Sequence, residues 1–469
     1  MRIILYGKCD NDIFSRIPSD SIIAILEGTE NMTCPIIQLP IISKSELPKC
    51  KYDYILIGGL ETGEKYIELL RQLHVEECKI RTVDDLLCER YVRHEYSLYY
   101  NEICLDGIRQ DGRKRVLIVS HDMSASGAPI ALLEFARTLK SMGYQVILYC
   151  QCSGPLIAEF IGLGIPVHVE DLDSRPDLYF WLLKNDFSFA VVNTLLQYKL
   201  VQKLSATSLK VFWWLHECDN YYQAILDIEG CLPTLNEFVV PLFVGNKVEE
   251  AFKRFYKRHI ESYNLLYCIP DRTIAIDQQE GHGKVVFALI GAIVFRKGQD
   301  IFLQAIEQLD ADLRERCEFW IIGDSPHEGS QLLSLICAKE SEFPEVKYFG
   351  PLPYSEMQNL YRDIDVVVCP SRIDPMPVVV TEGFMNGKLC LVSDSIGTAQ
   401  FIQNGINGFT FLSEDVLDLT EKMENIVRHL QDMTDVAREG YKVYKQYFTQ
   451  LKFRENVSDI INKFVERNQ

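Results

Sequence analysis

RVLIVSHDMSASGAPIALLEFARTLKSMGYQVILYC, residues 115–150, is the stretch that decides the fold. A short β-branched run opens it, a loop and a longer amphipathic segment follow, and a second apolar run closes it. The apolar positions of the middle segment recur at helical spacing; they are Ala131, Leu132, Phe135, Leu139 and Met142. Gly143 stands where such a helix commonly ends. The stretch therefore predicts a strand, a helix and a second strand, the unit from which parallel α/β sheets are built.

The same alternation of strand-like and helical segments divides the whole chain into blocks. Residues 1–108 form a first block with strand candidates of its own, and a polar linker (104–115) follows it. Residues 112–276 and 283–440 form two larger α/β blocks, the latter with six strand candidates, and 441–469 is predicted to be a closing helix. Two successive blocks of this kind predict a bilobed protein that binds ligands beyond the carboxyl ends of its strands.

Composition limits the class of function and the cellular location. The chain has 469 residues, of which 47% are apolar and 24% charged, as in an ordinary globular protein. Its net charge of −18 argues against nucleic acid as a partner, because phosphate binding needs a basic face. The 15 cysteines are scattered, with no two pairs at zinc-site spacing, which favours free thiols in a reducing compartment. The longest apolar run, residues 285–295, is too short to span a membrane, so we expect a cytoplasmic protein.

The third block carries two kinds of strand-end feature. Arg296 and Lys297 stand between a predicted strand and a predicted helix, where two cations and unpaired backbone N–H groups favour an anion. A solvated turn explains the same two residues equally well. Gly323 and Gly350 each follow a predicted strand, in a turn where backbone can approach a ligand closely. A glycine turn alone is weak evidence for a site.

The segment SRIDPMPVVVTEG, residues 371–383, places two acids around a Pro-Met-Pro turn. Asp374 follows a predicted strand, and Pro377 suits the first position of a helix, where its missing N–H costs nothing. The next N–H groups, beginning with that of Val378, would then point at a neighbouring anion. Glu382 would lie partly buried and would need a partner, either a protein cation or a pair of ligand hydroxyls.

The second block offers a loop and a histidine. Gly127 and Ala128 stand at the predicted start of the helix in 115–150, and His216 and Glu217 end the predicted strand KVFWWLHE. A lone histidine at a strand end is more often structural than functional.

Together these segments resemble the family-4 retaining glycosyltransferases, whose GT-B fold has two Rossmann-like lobes facing a cleft. The resemblance covers about residues 112–450, and no single motif carries it. The segments that match in order and spacing are GAPIALLEFARTLKSMGYQVILY, WWLHE, GAIVFRKGQDIFLQAI, FWIIGDS, VKYFGPLPYSEMQNLYRDIDVVVCPS, the segment 371–383, and GTAQFIQNGINGFTF. The resemblance implies an α/β protein of the GT-B class with a small N-terminal α/β domain added, and a closing helix that crosses back to the first lobe.

On the donor side, the family's Glu-x7-Glu motif falls on Asp374 and Glu382. The resemblance implies that the first acid lies near the donor sugar and that the second binds the ribose hydroxyls. The other donor-binding positions that it implies are Arg296 and Lys297 at the diphosphate, Gly323 and Gly350 in the same cleft, and the backbone of Met376, Pro377 and Val378 at the sugar and distal phosphate.

On the acceptor side, His216 matches a histidine that faces the donor sugar near the reacting carbon. Gly127 and Ala128 match a glycine-rich loop near the donor phosphate and the acceptor. The resemblance thus gives His216 and Asp374 as the catalytic residues. Such enzymes usually work without a bound metal, so we expect neither a metal ion nor a cofactor.

Four positions depart from the family's pattern. Asp374 replaces the first Glu, Pro377 replaces a Gly, Ala292 replaces an Arg, and Gln400 replaces a Glu. We interpret the changes as the signature of a subgroup, because the other motif positions are retained, and Arg296 would supply the charge that is missing at 292.

Two further segments bear on partners. Residues 1–108 resemble small Rossmann-like accessory domains of other sugar-modifying enzymes, but the G-x-G-x-x-G turn is missing, so we expect a packing or assembly role. Residues 251–259, AFKRFYKRH, would suit an anionic lipid surface or the phosphate of a lipid-linked acceptor. A solvated helix face with Phe252 and Phe255 in the core is the favoured interpretation.

The sequence as a whole predicts a retaining hexosyltransferase that moves a sugar from a nucleotide-diphosphate sugar donor to an acceptor. That acceptor would be a glycan, lipid-linked or protein-linked, in surface polysaccharide or glycoconjugate assembly. Peripheral contact with the inner membrane face stays open, and no oligomeric state is predicted. Two alternatives share the bilobed fold: a sugar-nucleotide epimerase, which needs no acceptor, and a catalytically silent scaffold that binds glycan or a partner chain.

Overall fold

The computed structural model describes residues 3–7, 22–26, 41–52, 54–58, 69–75, 79–82, 112–169, 187–272, 283–326, 329–352 and 354–466. The chain divides into two compact units. The first comprises Met1–Gly112, Asp122–Ala125 and Ile147–Arg175, and the second comprises Arg113–His121, Ser126–Val146 and Pro176–Gln469. Among the described residues, no helix combines the length and the apolar character that crossing a membrane requires.

The strands, in chain order, are β1 (Ile3–Gly7), β2 (Ile22–Leu26), β3 (Ile41–Ile42), β4 (Tyr54–Gly58), β5 (Ile80–Thr82), β6 (Arg115–Ser120), β7 (Gln145–Cys150), β8 (Val167–Val169), β9 (Phe187–Asn193), β10 (Val211–Leu215), β11 (Val239–Phe243), β12 (Tyr263–Asn264), β13 (Val285–Ile290), β14 (Cys317–Ile322), β15 (Val346–Gly350), β16 (Val366–Cys369), β17 (Leu389–Ser393) and β18 (Phe409–Phe411).

The α-helices, in chain order, are α1 (Gly127–Ser141), α2 (Ile157–Gly162), α3 (Tyr198–Leu204), α4 (Asp219–Glu229), α5 (Asn246–Phe255), α6 (Gln299–Gln308), α7 (Ala311–Arg314), α8 (Ser330–Glu342), α9 (Tyr354–Leu360), α10 (Val378–Met385), α11 (Val416–His429), α12 (Thr434–Tyr447) and α13 (Gln450–Ile461).

The first unit contains a parallel sheet with the strand order β3-β2-β1-β4-β5. Its core is formed by alternate apolar side chains of neighbouring strands, among them Ile4, Tyr6, Leu26, Ile55 and Ile57. In the same unit, the end of β7 pairs in parallel with β8.

The second unit begins with a parallel sheet in the order β12-β11-β10-β9-β6. All five residues of β10 are buried, as expected where helices cover both faces of a parallel sheet. Two of them are tryptophans, Trp213 and Trp214, and their indole N–H groups donate to the carbonyls of Thr194 and Leu265. The central strand therefore buries large aromatic surface without leaving a donor unpaired.

A second parallel sheet in the same unit has the order β15-β14-β13-β16-β17-β18. It contains the six strands predicted for the block 283–440. Phe287 and Phe319 on adjacent strands stack on one another, and Phe302 of α6 packs edge-on against Phe319. Because all strands of each sheet run parallel, their carboxyl ends lie along one edge of that sheet, where the chain turns into the loops of the site.

The last helix lies against residues of the earlier sheet. Phe453 of α13 contacts the rings of Phe135 and Trp214, with centroid distances of 5.5 and 5.9 Å. The Gln450 side-chain amide donates to the Glu134 carboxylate at 2.8 Å. The chain end is thus part of the packing around β10.

Replacing Phe453 by Ala should destabilise this packing strongly. The ring is 1% exposed, and losing a buried aromatic side chain costs about 3–5 kcal/mol. We expect the urea unfolding transition, followed by tryptophan fluorescence, to move to lower urea. Leu451→Ala on the same helix is the matched control, because Leu451 is 69% exposed and its loss should cost under about 0.5 kcal/mol. Equal shifts for both variants would contradict the packing described for α13.

Candidate active site

Two loops that are far apart in sequence meet beyond β13 and β16, which pair with one another. The 3₁₀ turn Phe295–Lys297 follows β13, and Asp374 follows β16. Lys297 Nζ lies 2.5 Å from Asp374 Oδ2, and Arg296 Nη1 lies 3.7 Å from the same oxygen. The structure therefore brings together Arg296, Lys297 and Asp374. Arg296 reaches this carboxylate although Ala292 stands where the family has an arginine.

Burial makes this ion pair more than a surface contact. Asp374 is 8% exposed, and a carboxylate so buried needs a partner charge or several hydrogen bonds. The Lys297 side chain is 16% exposed, whereas that of Arg296 is 55% exposed and open to solvent. The cluster thus has one sheltered and one accessible cation beside a single acid.

The turn that carries the two cations depends on a glycine. Gly298 has φ +74°, and a Cβ there would lie 2.1 Å from the carbonyl oxygen of Pro370. Any other residue would push the turn away from the loop after β16. Gly323 and Gly350 lie at neighbouring strand ends, where the N–H of Gly323 donates to the carbonyl of Gly350 at 2.9 Å.

Helix α10 starts one residue later than the sequence suggested. Pro377 has φ −62° and ψ 119°, so it is extended and precedes the helix, and the prediction that it is the first helical residue is wrong. Its carbonyl accepts the N–H of Val380. Val378 is the first helical residue, so its N–H group still belongs to the unpaired first turn.

Glu382 lies inside α10 and is half-buried. The hydroxyl of Tyr361 donates to its Oε2 at 3.1 Å. The sequence analysis considered a protein cation or a pair of ligand hydroxyls as the partner of Glu382. Tyr361 is neither of these, because it supplies a hydroxyl from the protein itself. A carboxylate with a hydroxyl donor on one oxygen retains acceptor capacity for further hydroxyl groups.

The starts of α1 and α10 face each other. A Cβ on Gly127 would lie 3.9 Å from the side chain of Val378. Nearby, a Cβ on Gly245 would lie 3.0 Å from Met376 Sδ. The predicted loop at Gly127 and Ala128 is therefore next to the predicted turn at 376–378. The first turns of two helices lie close together there, and their N–H groups favour an anion.

His216 is held by a short relay from α1. The Asn193 amide nitrogen donates to the carbonyl of Ala128 at 3.0 Å, so its oxygen is the acceptor for His216 Nε2 at 2.9 Å. His216 Nε2 therefore carries the proton, and Nδ1 is an acceptor. Desolvation, with His121 nearby, lowers the pKa of the His216 imidazole to about 3 although the ring keeps some exposure.

The sequence indicated no role for the groups that fix these strand ends, although it placed Glu217 at one of them. Glu217 is 8% exposed, and its Oε2 accepts the N–H groups of Leu195 and His216, both at 2.9 Å. Thr194 has φ +72° and ψ 155°, a conformation that costs a non-glycine residue free energy, and its hydroxyl lies 3.0 Å from His121 Nδ1. The sequence did contain one indication of these groups, because polar residues also end β6 and β9, at Ser120 and Asn193.

Cys218 lies three residues beyond the end of β10, among several acids. Burial, with the carboxylates of Asp219, Asp374 and Glu217 nearby, raises the pKa of the Cys218 thiol to about 12.

The structure of the basic segment 251–259 agrees with the favoured interpretation, a solvated helix face with Phe252 and Phe255 in the core. Phe252 is 3% exposed, and Phe255 stacks on Tyr222 with ring centroids 5.0 Å apart. Two of its exposed cations are paired within the protein, as Lys253–Glu249 and Arg254–Asp219.

The buried Glu217 should make stability depend on pH. Burial raises the pKa of its carboxyl to about 7 in the folded protein, against 4.5 when exposed. Between these values the folded state keeps a proton that the unfolded chain has lost, so stability falls as pH rises. The difference in unfolding free energy, Glu217→Gln minus wild type, should therefore grow by about 3 kcal/mol from pH 4.5 to pH 8.

Urea titrations across this pH range measure the difference. Glu250→Gln, an exposed carboxylate on α5, is the matched control. A pH-independent difference for Glu217→Gln would show that the carboxyl is not held protonated.

Two family models match the chain in succession. The model described as "Glycosyl-transferase family 4" matches residues 112–239, and the model described as "Glycosyl transferases group 1" matches residues 271–443. The second match begins after β12, the last strand of one sheet, and before β13, the first strand of the other.

Individual relatives are more distant. The chain is 25% identical over 167 residues to the N,N'-diacetylbacillosaminyl-diphospho-undecaprenol alpha-1,3-N-acetylgalactosaminyltransferase of Campylobacter jejuni, covering 35% of this chain and 41% of the relative. It is 30% identical over 131 residues to the lipopolysaccharide 1,2-N-acetylglucosaminetransferase of Salmonella typhimurium, covering 26% and 34%. The chain thus spans about half the length, or less, of the curated relatives it matches.

Solved structures show the same fold. The structure of Anabaena HepE in complex with UDP and glucose aligns with a TM-score of 0.62 at 15% identity, over 75% of this chain and 100% of that chain. Such a likeness establishes the two-lobed GT-B architecture predicted from the sequence. With one family model on each lobe and this fold around them, the chain belongs to the group 1, family-4 glycosyltransferases.

Proposed function

We propose that the protein transfers a sugar from a nucleoside-diphosphate sugar to a glycan acceptor, with retention of configuration, in surface polysaccharide or glycoconjugate assembly. The observation that carries the proposal is the convergence of Arg296, Lys297 and the start of α10 beside Asp374. Two cations and a helix N-terminus suit a diphosphate, and in this proposal His216 of the other lobe would face them.

In this proposal the diphosphate is the group that leaves. Negative charge grows on it as the glycosidic phosphate bond breaks, and preorganised positive groups lower the barrier. Lys297, Arg296 and the first N–H groups of α10 would supply that charge, and the start of α1 would add to it. These groups make a metal ion unnecessary in our proposal. The nearest Asp-x-Asp pair, Asp363 and Asp365, precedes β16 and so lies at the end of that strand opposite to Asp374.

The sugar would lie between Asp374 and His216. When the donor phosphate pairs with Lys297, Asp374 would lose this ion-pair partner, and its carboxylate could interact with the sugar. The sugar ring becomes cationic as its bond to phosphate breaks. His216 presents Nδ1 as an acceptor, because its Nε2 is engaged by Asn193. A sugar hydroxyl would donate to that nitrogen and orient the ring.

The nucleoside would be fixed by Glu382. Its carboxylate accepts from Tyr361 and, in this proposal, would also accept the two ribose hydroxyls. The Anabaena structure with UDP and glucose supports a hexose donor. The Campylobacter and Salmonella relatives, which act on a diphospho-undecaprenol-linked and a lipopolysaccharide substrate by their names, support a lipid-linked or glycan acceptor. Such acceptors would bring the protein to the inner membrane face.

A thermal-shift panel tests the donor. UDP, GDP, ADP and dTDP, free and as hexose conjugates, are added in EDTA, because the proposal needs no metal. The true nucleotide should raise the melting temperature, since a ligand at one hundred times its Kd stabilises by about 2.7 kcal/mol. If no compound shifts the melting temperature, the result would favour the alternative of a catalytically silent scaffold. Conversion of the stabilising sugar nucleotide to an epimer without acceptor would overturn the transferase proposal.

Glu382→Ala should abolish transfer through loss of ribose binding. We expect the Kd of the matching ribonucleoside diphosphate to rise about tenfold or more, because a charged acceptor of two hydrogen bonds is lost. The 2′,3′-dideoxy analogue should lose little affinity, since it has no hydroxyl to lose. Glu356→Ala, an exposed acid on α9, is the control. Full transfer by Glu382→Ala would refute the role given to Glu382.

A further inference from the structure

We propose that Arg372 is a positioning residue that holds the cation-bearing turn 295–297 in register with Asp374. The inference rests on the proposed function, because it concerns the turn that would meet the donor diphosphate. No sequence pattern singled out Arg372, which lies two residues before Asp374 in the loop after β16.

The guanidinium of Arg372 makes four hydrogen bonds. Nη1 and Nη2 donate to the two carboxylate oxygens of Asp300 at 2.9 and 2.8 Å, and Nη1 also donates to the carbonyl of Phe295 at 2.8 Å. Nε donates to Glu414 at 2.7 Å. The side chains of Arg372 and Asp300 are 14% and 17% exposed, so their bidentate pair is largely shielded from water, whereas Glu414 is 61% exposed. A bidentate, shielded network of this kind fixes geometry as well as adding stability.

These bonds hold the turn from both ends. Phe295 opens the turn, and its ring lies under the guanidinium, 3.8 Å from centroid to carbon. The backbone N–H of Arg372 donates to the carbonyl of Arg296 at 2.8 Å. Asp300 lies in the first turn of α6, just past the cations. One side chain therefore ties the turn, the helix behind it and the loop of Asp374 into a single body.

Charge separates the work of Arg372 from that of Arg296 and Lys297. Its positive charge is matched by two carboxylates, so it acts on geometry and leaves the anion to the other two cations. Lysine could not replace it, because an ammonium is a point charge that cannot bridge Asp300, Glu414 and a carbonyl while stacking on a ring.

Isothermal titration of the full-length protein tests the inference. The probes are the nucleoside diphosphate that gives wild type the largest shift in the panel and the matching free nucleoside. Arg372→Ala should raise the Kd of the diphosphate about tenfold, as expected for loss of a charged hydrogen-bond network. The Kd of the free nucleoside should change by no more than about twofold. Arg372→Lys, which keeps the charge and is the variant to use if Arg372→Ala does not fold, should show the same selective loss at smaller size.

Arg428→Ala is the matched control, because Arg428 pairs with two carboxylates of the same lobe without touching the turn. It should change neither affinity. Unchanged diphosphate affinity in both Arg372 variants would overturn the inference, and so would equal losses for diphosphate and nucleoside, which would indicate general disruption. Failure of wild type to bind any of the four diphosphates would instead overturn the proposed function, and this inference with it.

Discussion

The parallel pairing of β13 with β16 is the constraint on which the rest of the site depends. Phe287 and Ala288 pair with Val366 and Val367, so the two strands end side by side. Lys297 and Asp374 can then meet at 2.5 Å although 77 positions separate them in sequence. The other lobe repeats the arrangement, since β9 and β10 are parallel neighbours and their ends bring Asn193 to His216.

Much of the fold, and the placement of Lys297 and Asp374, could be predicted because both depend on patterns that are local in sequence. The apolar runs of the block 283–440 indicated its six strands, and strand ends then indicated where Lys297 and Asp374 would lie. The start of α10 was missed by one residue, since proline has the same φ at the first helical position and just before it. Its extended ψ of 119° decides between the two, and that angle is set by packing.

The missed residues share a different property. Asn193, Glu217 and Arg372 act mainly on backbone groups or on side chains of distant segments. Arg372 and Asp300 are 72 positions apart, and Glu217 accepts an N–H group 22 positions away. Nothing in the composition of a short segment signals such a partner, because the partner is defined only when the sheet has formed. The network residues of a site are therefore harder to read from sequence than those expected to touch the ligand.

The low pKa of His216 has a consequence for the charge of the transition state. An imidazole with a pKa near 3 stays neutral at every physiological pH, so it offers a dipole and no net charge. A glycosyl group acquires positive charge as its bond to phosphate breaks, and an imidazolium beside it would oppose that change. If the sugar lies where we propose, the relay from Ala128 through Asn193 would hold a polar, uncharged side chain against the emerging cation without electrostatic repulsion.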